Sequence, residues 1–132
     1  MVWEIPKVRE LLRDKLSGCS WFAKFDFVVM LWQLALHKDS RHLFSFYDGR
    51  FGSFCFNRVV MGTLNSSCYT QKMLTRIFNN TRFRGKPILE NGLFVQTDDV
   101  LLYAANPDDE LLELIVVFLR TVMLHAQPDD SP

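Results

Sequence analysis

The sequence predicts an α+β fold, with helices packed on an antiparallel sheet. Three observations lead there. Short aromatic-rich stretches bounded by turn residues read as strands, with Asp48-Gly49 the strongest hairpin signal. Two segments, one near the N-terminus and one after Asn65, carry apolar residues at helical spacing. A final apolar run opens at Asn106-Pro107-Asp108, a cap residue followed by proline in the first turn.

The elements follow in order. Pro6 to Leu16 reads as an amphipathic helix with Val8, Leu11, Leu12 and Leu16 on one face, ended by Gly18. Trp21 to Phe27 alternates large apolar residues with Ala, Lys and Asp, as a strand does. The next segment, VVMLWQLAL, is open between a turn of helix and extended chain. Leu43 to Tyr47 and Phe51 to Phe56 form strands around Asp48-Gly49. In NSSCYTQKMLTRIF, Asn65 or Ser66 is the expected cap of a helix with Cys68, Tyr69, Met73 and Ile77 inward. Thr81 to Gly92 reads as a loop carrying Arg82, Arg84 and Lys86. A hairpin, GLFVQTDDVLLYA, comes next, and a last helix runs to about His125. That helix is apolar nearly all round, so a sheet together with a second element, or a partner domain, is expected to cover it.

At 132 residues, 48% of them hydrophobic, the chain is the size of a single domain with a core of its own. Its longest apolar runs, such as Phe27 to Trp32, are too short to cross a bilayer. The charged N-terminus lacks the apolar core of a signal peptide. An intracellular protein, cytoplasmic or nuclear and not secreted, is therefore expected, with no membrane partner and no use for its two glycosylation sequons. Cys19, Cys55 and Cys68 are odd in number and widely spaced, and read as reduced, mostly buried thiols without structural zinc. The zero net charge conceals an asymmetry. Residues 1–97 hold fourteen Lys/Arg against seven Asp/Glu, whereas residues 98–132 hold one Arg against eight acids. Solvated surface accounts for this, and so does a phosphate-holding body beside carboxylates that need cations. No role is assigned to His37, His42 or His125.

Asp98 and Asp99 stand side by side between two strand-forming runs, although aspartate is among the poorest strand residues. Turn chemistry at a hairpin tip permits them. A third carboxylate, Asp26, lies within the apolar stretch FAKFDFVVML. Buried there, it would need an ion pair, hydrogen bonds or a metal. Three carboxylates from neighbouring strands could hold two divalent cations roughly 3.5–4 Å apart, a pair suited to phosphoryl transfer. Mg²⁺ is the natural candidate, with Mn²⁺ as an alternative.

Three motifs then resemble those of the palm of reverse transcriptases, most closely the gypsy-type LTR retrotransposons. Trp21-Phe22-Ala23-Lys24-Phe25-Asp26 resembles the family's "yFSklD", with Gln33 in the place of a later family Gln. The stretch from Arg58 to Ser66 resembles "RmPFGLxNA", and Gln71 its later "FQ". Gln96-Thr97-Asp98-Asp99 resembles the "YxDD" hairpin, and Gln127-Pro128 part of "LNPkK". The resemblance covers about Ile5 to Pro128. It implies a ferredoxin-like polymerase palm with partial fingers, acting as an RNA-directed DNA polymerase on an RNA or DNA template with primer and dNTPs. It also implies that Asp26, Asp98 and Asp99 hold two Mg²⁺ ions, assisted by the main-chain carbonyl of Phe27. Leu31, Trp32, Gly62, Asn65 and Gln71 would lie against nucleotide or template, and Arg82, Arg84 and Lys86 against backbone phosphates.

Several positions depart from the pattern. Leu31 stands where the family carries an aromatic sugar gate, with Trp32 adjacent. Val60-Met61 replaces Pro-Phe, Gln96 replaces Tyr, and Asp129-Asp130 stand where lysines would be. Only 25 residues precede Asp26, so the chain is expected to be a polyprotein fragment, with most of the fingers, the thumb and ribonuclease H elsewhere. As an isolated chain it is expected not to polymerise. The competing expectations are a relic palm that binds nucleic acid or protein without catalysis, and an unrelated ferredoxin-like domain with a fortuitous Asp-Asp turn.

Overall fold

A computed structural model describes residues 8–106 and 110–125 of the chain. Pro6 and the Pro107-Asp108 helix start lie outside those residues, as does Gln127-Pro128. The elements are α1 (Val8–Leu16), β1 (Trp21–Asp26), α2 (Met30–Gln33), a 3₁₀ helix (Lys38–Phe44), β2 (Ser45–Asp48), β3 (Gly52–Cys55), α3 (Ser66–Asn79), β4 (Arg82–Phe83), β5 (Lys86–Pro87), a 3₁₀ turn (Ile88–Glu90), β6 (Leu93–Gln96), β7 (Asp99–Ala104) and α4 (Glu110–His125).

Alternation along β7 sets up the two faces of the central sheet. Its strand order is β1-β7-β6, antiparallel throughout, and β2-β3 and β4-β5 form separate two-stranded ribbons. Val100 and Leu102 on β7, with Leu93 and Val95 on β6, are buried on one face, against which α3 and α4 pack. On β1 the same period turns Ala23 and Phe25 toward the core and leaves Phe22, Lys24 and Asp26 exposed. The α+β layout that the sequence predicts is the layout found.

Phe118 of α4 ties these layers together. Its ring lies 5.0 Å from that of Phe25 and 6.3 Å from that of Phe27, both on the β1 side. It stacks at 5.8 Å on Phe78 of α3. Close packing of α4 also depends on Gly92, whose φ is +127°. A Cβ there would stand 2.7 Å from Leu114 Cδ2 and 3.0 Å from the Tyr103 carbonyl oxygen. Glycine is required on both counts.

Several expectations change. The ambiguous segment after Phe27 becomes one helical turn, entered through Val29 at φ 51° and left through extended Leu34. The Asp48-Gly49 hairpin has a three-residue loop, since Asp48 pairs with Gly52. Asp48 Oδ1 accepts the N–H groups of Arg50 and Phe51 at 2.8 and 3.1 Å, which stabilises this longer loop. Leu43 and Phe44 belong to the 3₁₀ helix rather than to a strand. On α3 the inward face is Ser66, Thr70, Leu74 and Phe78, an i, i+4 row flanked by Met73 and Ile77. Tyr69, expected inward, is 55% exposed because it lies one step off that row. Asn65 holds the cap position without a side-chain cap bond. None of the three cysteines is fully buried, and Cys55 is exposed. On α4, Leu114, Phe118 and Thr121 are buried, while Leu112, Val116, Leu119 and Met123 form an exposed apolar stripe. Among the described residues, no helix is long and apolar enough to cross a membrane.

Phe118→Ala would leave a cavity between three rings that have no polar group to relax around. A loss of about 3–5 kcal/mol in unfolding free energy is expected, read from urea denaturation.

Candidate active site at the β6–β7 turn

Gln96 and Asp99 are partners in the β6–β7 register, so the turn is only two residues, Thr97 and Asp98. Asp99 is therefore the first residue of β7 rather than part of the tip. Two-residue hairpin turns favour positive φ at their first position, because that twist matches the strands they join. Thr97 has φ 52°, an unfavourable conformation for a β-branched residue.

Neighbouring groups hold the turn in place. Gln71 on α3 donates through Nε2 to the Val95 carbonyl at 3.0 Å, and its Oε1 accepts the Thr97 N–H at 2.6 Å. One amide side chain thus satisfies an acceptor of β6 and a donor of the tip. The Thr97 hydroxyl donates to Asp98 Oδ1 at 3.1 Å. On the other side, the Phe27 N–H donates to the Asp98 carbonyl at 2.8 Å, carrying the β1–β7 pairing past the end of both strands.

The same register sets Asp26 opposite Asp99. Backbone pairing therefore gathers Asp26, Phe27, Asp98 and Asp99 at one end of the sheet. The three carboxylates are exposed, Asp26 included. The expected cost of burying Asp26 does not arise, because β1 turns it away from the core to the exposed side that it shares with Lys24. Lys24 Nζ lies 3.0 Å from Asp99 Oδ1, a diagonal cross-strand ion pair. The hydrogen bond to Asp99, followed by its charge, raises the Lys24 pKa, and Asp26 and Asp98 add smaller effects of the same sign. Lys24 is an ammonium at neutral pH.

The donor types suit a hard divalent cation, which takes carboxylate and carbonyl oxygens. The arrangement is not a closed ligand set. Among the described residues, no three His, Cys, Asp or Glu side chains are grouped so as to hold a metal. Asp99 is turned to Lys24 and Asp98 to Thr97. The fold itself sets a cation against this site, the Lys24 ammonium.

The other sequence-predicted residues are dispersed. Leu31 is half-buried against the core and Trp32 is 53% exposed, both on α2. A cavity of about 570 Å³ lies between α2, α3 and α4, lined by Phe27, Trp32, Arg58 and Ile77 among others, and none of the three aspartates borders it. Gly62 takes φ +83° with open space where a Cβ would be. The turn around Gly62 is held by Ser66, whose hydroxyl donates to the Val60 carbonyl at 3.0 Å and meets that of Thr63. Asn65 is exposed. Arg84 pairs with Glu113 Oε2 on α4 at 3.0 Å and lies over the Phe83 ring, while Arg82 and Lys86 are exposed on the same short ribbon. Sequence reasoning missed Lys24. The signal was present, since a residue two before Asp26 on a strand shares its face.

No protein-family model matches the chain. It is 26% identical over 117 residues to an enzymatic polyprotein of Cestrum yellow leaf curling virus, a match covering 89% of this chain and 17% of that protein. Among solved structures, the prototype foamy virus protease–reverse transcriptase superposes with a TM-score of 0.64 at 16% identity, over 78% of this chain and 12% of the other. Foamy viral protease–reverse transcriptases in complex with double-stranded DNA superpose with TM-scores of 0.62 and 0.60, each at 19% identity. Those two matches cover 78% and 80% of this chain, and 18% and 20% of the viral chains. The fold resembles the reverse transcriptase palm. The chain spans about a sixth of the length of the curated relative it matches.

Gln71→Ala removes the two bonds that tie the turn to α3. Local opening at Thr97 should become easier by about 1–3 kcal/mol, seen as faster amide exchange at Thr97 with little change at Val100 or Leu102.

Proposed function

We propose that this chain is the palm of an RNA-directed DNA polymerase of the gypsy-type LTR class. It would work within a longer polyprotein and transfer a nucleotide from a dNTP onto a primer 3′-hydroxyl. The observation that carries the proposal is the β1–β7 register, which sets Asp26 opposite Asp99 with Asp98 hydrogen-bonded to Phe27. The likeness of the fold to the foamy virus enzymes supports it, as does the order of the three sequence motifs.

The carboxylates of Asp26, Asp98 and Asp99 and the carbonyl of Phe27 are the groups that would hold Mg²⁺. When bound, such a pair of ions activates the attacking hydroxyl and stabilises the leaving oxygen. The chain's own contribution is orientation. Thr97 and Gln71 hold the turn, and the exposed end of the sheet at Asp26, Asp98 and Asp99 is open to a primer end. Gly62, with no side chain in the open space beside it, suits close approach of a base or nucleotide. Asn65, Leu31 and Trp32 are the further candidates for contact with nucleotide or template. Arg82 and Lys86 are exposed and suited to phosphates. Arg84 would first have to leave Glu113.

A second reading has a specific observation in its favour, the absence of a grouped ligand set among the described residues. On that reading the chain is a non-catalytic palm that binds nucleic acid or protein. Titration with Mn²⁺ by calorimetry, with Asp98→Asn/Asp99→Asn alongside, separates the two. The polymerase reading expects saturable binding that the double variant loses by at least about tenfold. Failure of the folded wild-type chain to bind would leave the non-catalytic reading.

A further inference from the structure

Resting on the two-metal reading above, we propose that Lys24 is the built-in counter-ion of this site. It acts as a positioning residue that holds the Asp99 carboxylate while no divalent cation is bound and yields it when one arrives. Its charge thereby sets the affinity of the site for cations.

Position is the first support. Lys24 and Asp26 are two residues apart on β1 and face the same side, and Asp99 is the cross-strand partner of Asp26. The ammonium is therefore aimed along the diagonal at a carboxylate that the metal reading also requires. The contact is direct, at 3.0 Å. Three carboxylates at one end of a sheet repel one another, and a single positive charge among them lessens that repulsion.

Exchangeability is the second support. The two side chains are 68% and 54% exposed, so the pair is hydrated, screened by salt and weak enough to be displaced. A lysine also has the means to leave, with a compact charge on a flexible four-carbon stem. Its backbone stays on β1 while the ammonium swings into water. A divalent cation at the carboxylates would then have to displace one positive charge and tolerate it nearby. Removing the charge should tighten cation binding, whereas a ligand-bearing or purely structural residue would weaken it on removal.

The test is Mn²⁺ titration by calorimetry and water-proton relaxation on the full chain, comparing wild type, Lys24→Met, Lys24→Arg and Asp98→Asn/Asp99→Asn. Lys24→Met should bind about three- to tenfold more tightly than wild type. Lys24→Arg, which keeps the charge, should match wild type. In parallel, the Lys24 ε-methylene NMR signals of the wild-type chain should shift on saturation with diamagnetic Mg²⁺. Equal or weaker binding by Lys24→Met overturns the inference and leaves the metal site standing. Unmoved Lys24 signals at saturation also overturn it. No binding by any of the Asp98/Asp99-intact proteins overturns both the inference and the metal reading. Binding that survives the double aspartate variant places the cation elsewhere and does the same.

Discussion

The contact on which the rest depends is that of Phe118 with the rings of Phe25, Phe27 and Phe78. It binds α4 to the edge strand β1 and, through Phe78, to α3. Both helices lie on one side of the sheet, and on the other side the end that carries Asp26 and Asp99 is exposed while Tyr103 farther along β7 is buried. That asymmetry turns a small α+β core into a platform. Asp26 and Lys24 are exposed because Phe25, between them in sequence, points the opposite way into the ring cluster.

Position at the site is then set almost wholly by backbone hydrogen bonds, with side chains supporting them. The Phe27–Asp98 bond extends pairing beyond the last residue of β1, so the strand ends and the turn move as one unit. Gln71 adds a brace from a different element and ties the same turn to α3. Strain at Thr97 is consistent with such a braced location, since unfavourable φ persists only where surrounding bonds over-determine it.

Much of this was legible in the residues. Period-two alternation in WFAKFD was enough to place β1, the strand-forming runs on either side of Asp98-Asp99 were enough to place β6 and β7, and the apolar spacing after Asn65 was enough to place α3. What misled was the use of apolar neighbours as a guide to burial. Asp26 sits among hydrophobic residues in sequence, yet Phe22 and Val28 beside it are themselves exposed. A short apolar stretch on an edge strand has one face to cover, and sequence does not say which residues lose water. On α3 Met73 and Ile77 pack on the core as expected, but Ser66 and Thr70, polar residues with local hydrogen bonds, occupy the inward row in place of Tyr69. Gln71 drew attention through the motif that contains it, but its bond to a turn 26 positions away could only come from the fold.

The two-residue turn between β6 and β7 has a consequence for how this region can change. Successive residues on a strand face opposite ways, so the turn tolerates a change of residue type far better than a change of length. One residue inserted there and absorbed by a slip of β7 would exchange the fates of its neighbours. Asp99 would be driven toward the place of Val100, inside the core, and Val100 out to the exposed place of Asp99. Variation in such a loop is thus expected to run through substitution alone, and an insertion or deletion would act as a loss of the fold's core rather than as a local adjustment.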